Sequence, residues 1–173
     1  PGAALDVNGN FTLTLGTFQP TTYQVNVAGS WTDTGAGVYS VLSALDNSTV
    51  VFDGTGTVNA NDAFYHVTIN TTGTVTLGAA LDVDGTLTLT AGTLDISATL
   101  YGITVGVSWT DTGAGTLTER TGTVTFDGTG TLNSNETFYD ITVNSSGTVT
   151  LGAALDIDNT LTISAGTLDA SGT

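Results

Sequence analysis

The carboxylates are the side chains whose type and spacing could support chemistry, because they outnumber every other ionisable group. Asp82 and Asp84 stand two residues apart, and Asp156 and Asp158 repeat the arrangement. Residues at i and i+2 share one face of a strand, roughly 7 Å apart. Such a pair could supply two of the oxygen ligands that Ca²⁺ requires, or it could be ordinary exposed strand or turn surface. These four residues are the candidate metal ligands, and no other cofactor is expected.

The sequence contains few of the residue types that commonly act in catalysis. His66 is the only histidine, Arg120 is the only strong base, and the chain has no cysteine. A glycosidase needs two carboxylates across a cleft, and the sequence gives no sign of one. A polysaccharide lyase or hydrolase on a β-helix would also need a basic residue in a groove with its carboxylates. We therefore predict that the protein is not an enzyme.

The charge balance excludes whole classes of partner. Sixteen acidic residues against one arginine give a formal net charge of -15. A positive surface for phosphate groups cannot be assembled from this composition, so nucleic acid is excluded. No apolar run approaches the length of a membrane-spanning helix, so no membrane insertion is expected.

Asn-x-Ser/Thr sequons are the other candidate sites. In a chain this rich in Thr and Asn, several could arise by chance. In a secreted protein they could carry glycans, because such acceptors lie at the surface. The five asparagines are Asn10, Asn47, Asn70, Asn135 and Asn144.

The elements that must position these residues are set by an internal repeat. Gly-Ala-Ala-Leu-Asp begins at Gly2 and returns at Gly78 and Gly152. The blocks around Trp31 and Trp109 also match. We assign repeat unit 1 to residues 2–77, unit 2 to residues 78–151 and a partial unit 3 to residues 152–173. Together they predict a single continuous domain over residues 1–173.

Within each unit, polar and apolar residues alternate with a period of two, which is typical of β-strands. The strands are short, and Gly, Asn-Gly or Asp-Gly separates them. We predict an all-β fold, a right-handed parallel β-helix (β-solenoid). Three strands would form a coil of roughly 20–25 residues, giving roughly three coils in each unit of about 75 residues. Two β-sandwich domains are the structural alternative.

The same alternation predicts which aromatic side chains face the core. Trp31 and Trp109 are expected to point inward, although stacking on a sugar ring is the functional alternative. Tyr65 and Tyr139 are also placed on the inward face. Phe64 and Phe138 then fall on the outer face.

The chain carries a family resemblance over nearly its whole length. The runs Phe126-Asp127-Gly128-Thr129-Gly130, Phe138 to Val143 and Leu155 to Asp169 resemble the long Gly/Thr-rich β-strand repeats of giant prokaryotic surface proteins. These include adhesins of the filamentous-haemagglutinin and autotransporter kind, S-layer-like proteins, and archaeal surface filaments such as hami. The resemblance implies an extracellular, cell-surface location.

The expected function is therefore structural: a non-catalytic segment of an extracellular surface filament, S-layer-like protein or adhesin. The sequence begins and ends inside the repeat, so open coil edges could pair with copies of the same chain or with further repeats stacked end to end. The alternative is a module on a β-helical stalk that binds carbohydrate or a host surface through Trp, Tyr and Asn. Ice binding by Thr-x-Thr rows is disfavoured, because insertions break the register between coils.

Overall fold

The computed structural model describes residues 2–40 and 47–171, and every regular element in that part of the chain is a β-strand. Thr, Val, Leu and Ile dominate these strands, and β-branched side chains pack well on a pleated surface. Among the described residues, no helix is long and apolar enough to cross a membrane. The strands are β1 (Leu5–Val7), β2 (Phe11–Phe18), β3 (Gln24–Val27), β4 (Trp31–Tyr39), β5 (Thr49–Phe52), β6 (Gly56–Asn59), β7 (His66–Leu77), β8 (Leu81–Val83), β9 (Thr86–Asp95), β10 (Ile103–Val105), β11 (Ser108–Asp111), β12 (Gly115–Thr118), β13 (Thr123–Phe126), β14 (Gly130–Asn133), β15 (Thr137–Leu151) and β16 (Asp156–Asp169).

All strand pairings in the described chain are parallel, and each strand pairs with a strand one coil away in sequence. The coils differ in length: Val50 lies in register with Val67, whereas Trp31 lies in register with Val58 across a longer coil. A sandwich built from hairpins would pair its strands in antiparallel fashion. The predicted parallel β-solenoid is therefore confirmed.

Residues in register form columns that run along the solenoid, and three of them mark its three sides. The Leu5 column contains eight residues: Leu5, Val25, Val50, Val67, Leu87, Trp109, Leu132 and Leu151. The Phe11 column contains Phe11, Trp31, Val58 and Leu77. The Leu81 column contains Leu81, Ile103, Val124, Ile141 and Leu161.

The repeat unit does not contain a whole number of coils. Leu5 and its equivalent Leu81 stand at the same position of two units, yet they lie in different columns. Leu81 follows Val67, the fourth member of the Leu5 column, and precedes Leu87, the fifth. One unit therefore spans three coils and about two thirds of a fourth, which is longer than the three coils predicted. Successive units are rotated relative to one another about the axis.

Local packing survives this rotation because it depends on residues about one coil away in sequence. Trp31 lies in register with Phe11, and its equivalent Trp109 lies in register with Leu87, the equivalent of Phe11. The ring centroids of Trp31 and Phe64 are 5.0 Å apart at 75°, and those of Trp109 and Phe138 are 5.2 Å apart at 75°. The same edge-to-face contact is thus built on two different sides of the solenoid.

The inward placement of the tryptophans is confirmed, since both are fully buried, but the outward placement of the phenylalanines is wrong. Phe64 and Phe138 are also fully buried, and Tyr65 and Tyr139 are only partly buried. The chain bends at Tyr65, and the register shifts between Phe138 and Asp140. Each irregularity resets the alternation, so Phe and the residue three positions later both face the core.

Glycine allows the chain to turn a corner inside a continuous strand. Gly16, Gly92 and Gly166 are repeat equivalents, and their φ angles are +88°, +81° and +78°. A residue with a side chain is strained in this region of backbone conformation. These corners let β2, β9 and β16 pass from one side of the solenoid to the next without interruption.

The Phe-Asp-Gly motif marks a second kind of constraint, the close approach of two coils. A Cβ atom on Gly54 would overlap the carbonyl oxygen of Ala28 in the preceding coil. A Cβ atom on Gly128 would likewise overlap the carbonyl oxygen of Gly106. Both glycines therefore permit backbone contact between neighbouring coils.

We predict that Gly128→Ala lowers the free energy of unfolding by about 2 kcal/mol or more, because the backbone of Gly106 must move. The matched control is Gly9→Ala, where an added Cβ would have no heavy atom within 4 Å. The control should change the free energy of unfolding by less than about 0.5 kcal/mol. Chemical denaturation of both variants measures this, and equal values for the two would contradict the proposed close approach.

Candidate functional site

The first pair of predicted metal ligands lies on the outer surface. Asp82 and Asp84 are exposed and flank the buried Val83. Partial desolvation raises the pKa of Asp82, and the charges of Asp84 and Asp127 raise it further. Desolvation and the charge of Asp127 also raise the pKa of Asp84. The structure therefore adds a third carboxylate, Asp127, to the electrostatic surroundings of this pair.

The second predicted pair lies elsewhere. Asp156 is in register with Thr137 and accepts a hydrogen bond from its hydroxyl group at 3.2 Å, whereas Asp82 is in register with Thr104. Asp156 and Asp158 are both exposed. The two pairs are not brought together, and within residues 2–40 and 47–171 no three His, Asp or Glu side chains are placed to hold a metal ion. Calcium binding at these four residues stays a prediction.

The five sequon asparagines, Asn10, Asn47, Asn70, Asn135 and Asn144, are all exposed. Two of them also hold neighbouring coils together. The side-chain oxygen of Asn10 accepts the backbone N–H of Ser30 at 2.8 Å, and that of Asn47 lies 2.9 Å from Nε2 of His66. Exposure is compatible with glycosylation, which stays a prediction.

His66 forms hydrogen bonds with residues of the two neighbouring coils. The backbone N–H of Thr86 donates to Nδ1 at 2.8 Å, so the proton of the neutral ring lies on Nε2 and is donated to Asn47. Burial lowers the pKa of His66, which favours this neutral form. The ring therefore links the coils before and after its own.

The exposed surface offers little for sugar stacking. Trp31 and Trp109 are fully buried, so the alternative that placed them against a sugar ring is wrong. Tyr23 is the exposed aromatic residue among the described part of the chain, at 36% exposure. One open depression is lined by Asp140, Ile141 and threonines Thr123, Thr142, Thr160 and Thr162.

Sequence reasoning missed two buried carboxyl pairs. Asp33 is 0% exposed and lies beside Asp62, and the equivalent Asp111 is 8% exposed and lies beside Glu136. The signal was available, because Asp33 stands two residues after the inward Trp31 and shares its parity. Asp33 and Asp111 recur at equivalent positions of the two units.

Each pair is held in place by equivalent backbone contacts. The N–H of Tyr39 donates to Asp62 at 2.6 Å, and the N–H of the equivalent Leu117 donates to Glu136 at 2.7 Å. Among the described residues, no N–H or hydroxyl group donates to either side-chain oxygen of Asp33, whose neighbour is the carboxyl group of Asp62. The Asp111 side chain accepts the N–H of Gly113 at 2.7 Å through Oδ1, while its Oδ2 has no partner in the same part of the chain.

The electrostatic consequence is clearest at Asp33. Burial, together with the adjacent carboxyl group of Asp62, raises the pKa of Asp33 to about 6. Burial likewise raises the pKa of Glu136. Two adjacent carboxylates disfavour joint ionisation, and burial increases that penalty.

The outer edge of β16 is the second candidate site. β16 pairs with β15 on one side and, among the described residues, has no partner on the other. Leu161 and Ile163 are consequently 44% and 51% exposed. At the opposite end, β2 pairs only with β4 within the described chain, and Leu15 is 73% exposed.

Internal repeats show what covers the equivalent edges. The segment Leu161–Ile163 is equivalent to Phe11–Leu13 and to Leu87–Leu89. Trp31–Asp33 lies in register on the first of these segments, and Trp109–Asp111 lies in register on the second. By this equivalence, the free edge of β16 is suited to pair in register with a Trp-Thr-Asp strand.

A scan against protein-family models gave no match, and searches among curated proteins and among solved structures gave none either.

We predict that stability falls as pH rises from about 4 to about 7 through the titration of Asp33. Its folded-state pKa of about 6 lies above the ordinary 3.8, so the folded protein binds the proton more tightly. The contribution is present below about pH 4 and is lost as pH rises through about 6. Between about pH 5 and 7 it amounts to about 1 kcal/mol.

The test is chemical denaturation at several pH values in a metal chelator, comparing the parent chain with Asp33→Asn. The variant should lose about 1 kcal/mol of pH dependence between about pH 5 and 7. Asp53→Asn is the control, since Asp53 is exposed. An unchanged pH profile in Asp33→Asn would contradict the assignment.

Proposed function

We propose that the chain is a non-catalytic structural segment of an extracellular surface filament, S-layer-like protein or adhesin. Its task is mechanical: stacked coils provide length and stiffness. The observation that carries the proposal is the continuous parallel stacking of coils around one apolar core. At the β16 edge, Leu161 and Ile163 are exposed, whereas their internal equivalents Leu87 and Leu89 are covered by a neighbouring coil. Edges of this kind favour strand addition.

The end edges favour a further repeat in phase as the partner. The β16 edge matches a Trp-Thr-Asp strand. At the other end, Val7 is equivalent to Val83 and Ile157, which are paired with Phe64 and Phe138. A coil carrying such a phenylalanine would match that edge. Both requirements are met by units that continue the repeat, either in the same chain or in another molecule.

The proposed location rests on composition and resemblance. A polar surface of Thr, Asn, Ser and Gly with a net charge of -15 favours solubility through charge repulsion. The resemblance to Gly/Thr-rich repeats of prokaryotic surface proteins is the reason for placing it at the cell surface. The five exposed sequon asparagines are compatible with a secreted glycoprotein.

The carbohydrate-binding or host-surface-binding alternative has less support, because the two tryptophans are buried. It would have to use Tyr23 and exposed asparagines. Glycan binding that is lost in Tyr23→Ala would favour this alternative over a purely structural role.

We predict that one additional unit in phase raises stability. A chain in which a second copy of residues 98–171 follows Ser171 would place Trp-Thr-Asp on Leu161–Ile163. Each added interface should raise the free energy of unfolding, as in other repeat proteins. Hydrogen exchange should show slower exchange of the β16 amides.

The control is an extension of equal length that begins about half a coil later, so that Trp no longer meets Leu161. It should give no gain in stability and no protection of β16. Equal protection by both extensions would contradict the register argument. For the native material, electron microscopy should show fibres or a surface lattice, whereas dispersed particles alone would contradict the proposed filament.

A further inference from the structure

The buried carboxyl pairs, Asp33 with Asp62 and Asp111 with Glu136, have a role to explain that does not depend on the proposed function. No N–H or hydroxyl group of the described chain donates to either side-chain oxygen of Asp33, although the residue is 0% exposed. A hydrogen bond with the neighbouring Asp62 requires that one of the two carboxyl groups is protonated. Asp111, its equivalent, has one oxygen that receives no such donor within the described chain. Burying a carboxylate without a compensating partner is costly. Both repeat units keep a buried carboxyl pair, so we expect a proton or a cation to offset the cost of burying the negative charge.

No side chain of the protein supplies the positive charge. The chain has no lysine, and its only histidine, His66, is hydrogen-bonded to Asn47 and Thr86. Arg120 is its only arginine. The guanidinium group of Arg120 donates to both oxygens of Asp95, at 2.7 Å each. The carboxyl pairs thus have to be neutralised by a proton or by a bound cation.

The donor atoms indicate the class of cation. Each pair offers carboxylate oxygens only, without sulfur or imidazole, which suits hard divalent ions such as Ca²⁺. Asp62 and Glu136 are partly exposed, so solvent can reach the outer side of each pair. Two carboxylates provide part of the coordination shell, and backbone carbonyl groups and water would complete it.

We propose that each repeat unit binds one Ca²⁺-class divalent cation, between Asp33 and Asp62 in unit 1 and between Asp111 and Glu136 in unit 2. Asp33 lies in β4, whereas Asp62 follows β6 in the next coil. The ion would therefore join successive coils at the corner beside the Trp–Phe contact. This site is distinct from Asp82 and Asp84, which lie on the outer surface.

Calcium titration of the whole chain tests the proposal. The protein is freed of metal with a chelator and titrated with CaCl₂ by calorimetry at about pH 7.5, which lies above the pKa of about 6 at Asp33. Two ions per chain are expected. Asp33→Asn and Asp111→Asn should each lose one, and the double variant should lose both.

Two controls locate the site. Asp53→Asn alters an exposed carboxylate and should retain both ions. The Asp82→Asn, Asp84→Asn double variant should also retain both. Loss of binding in that variant, with normal binding in Asp33→Asn, would overturn the proposal in favour of the outer pair.

Terbium provides a second readout, because Trp31 and Trp109 stand two residues from Asp33 and Asp111. Excitation of tryptophan should sensitise Tb³⁺ luminescence, and added Ca²⁺ should displace Tb³⁺ and reduce that luminescence. Circular dichroism checks that each variant is folded, and Asp62→Asn replaces Asp33→Asn if the latter fails to fold. Folded parent protein that takes up neither ion at millimolar concentration would show that protons alone neutralise the pairs, and the proposal would be wrong.

Discussion

The contact on which the structure depends is between a residue and its register partner about one coil away along the chain. Parallel pairing satisfies the backbone of each strand, and the inward side chains of successive coils pack on one another. The Leu5 column is the longest example, with eight members. Because each coil packs mainly on its neighbours, stability accumulates along the axis.

This constraint explains why repeat units can rotate about the axis without loss of packing. Each unit is about two thirds of a coil longer than three coils. Equivalent segments therefore move from side to side, while the contacts between neighbouring coils stay the same. The sequence motifs are distributed over all three sides, so no single lateral face collects one motif from every unit. The two ends, by contrast, present edges that only particular strands of the repeat match.

Much of this was predictable from sequence, for identifiable reasons. Alternating Thr and aliphatic residues predicted β-strands, and their recurrence predicted a solenoid in place of a sandwich. The expectation that all strands are short was wrong, because β7, β15 and β16 continue through corners and reach 12, 15 and 14 residues. The inward position of Trp31 followed from parity. Phe64 was misplaced because a bend at Tyr65 resets the alternation, and a bend of this kind leaves no distinct signal in the residue pattern. The number of coils in a unit was underestimated because some coils, such as the one from Val50 to Val67, are shorter than the pattern suggested.

The candidate site was less accessible to sequence reasoning. Asp82 and Asp84 were selected because paired carboxylates on one strand face suggest a metal, and the structure leaves them exposed on the outer surface. The buried pair was overlooked because Asp33 and Asp62 stand more than a full coil apart in the sequence. Only the coil register brings them into contact. Polar residues at inward parity, recurring in both units, are the feature that could have revealed them.

Dipolar distances between spin labels test the parallel stacking most directly. Asp6, Asn26, Val51, Thr68, Thr88, Thr110 and Asn133 are successive register partners. With one label at residue 6, a second label at residue 68, 88, 110 or 133 should lie at about 14, 19, 24 and 29 Å, an increase of about 5 Å per coil. Distances that do not rise steadily along this series would contradict a single winding solenoid.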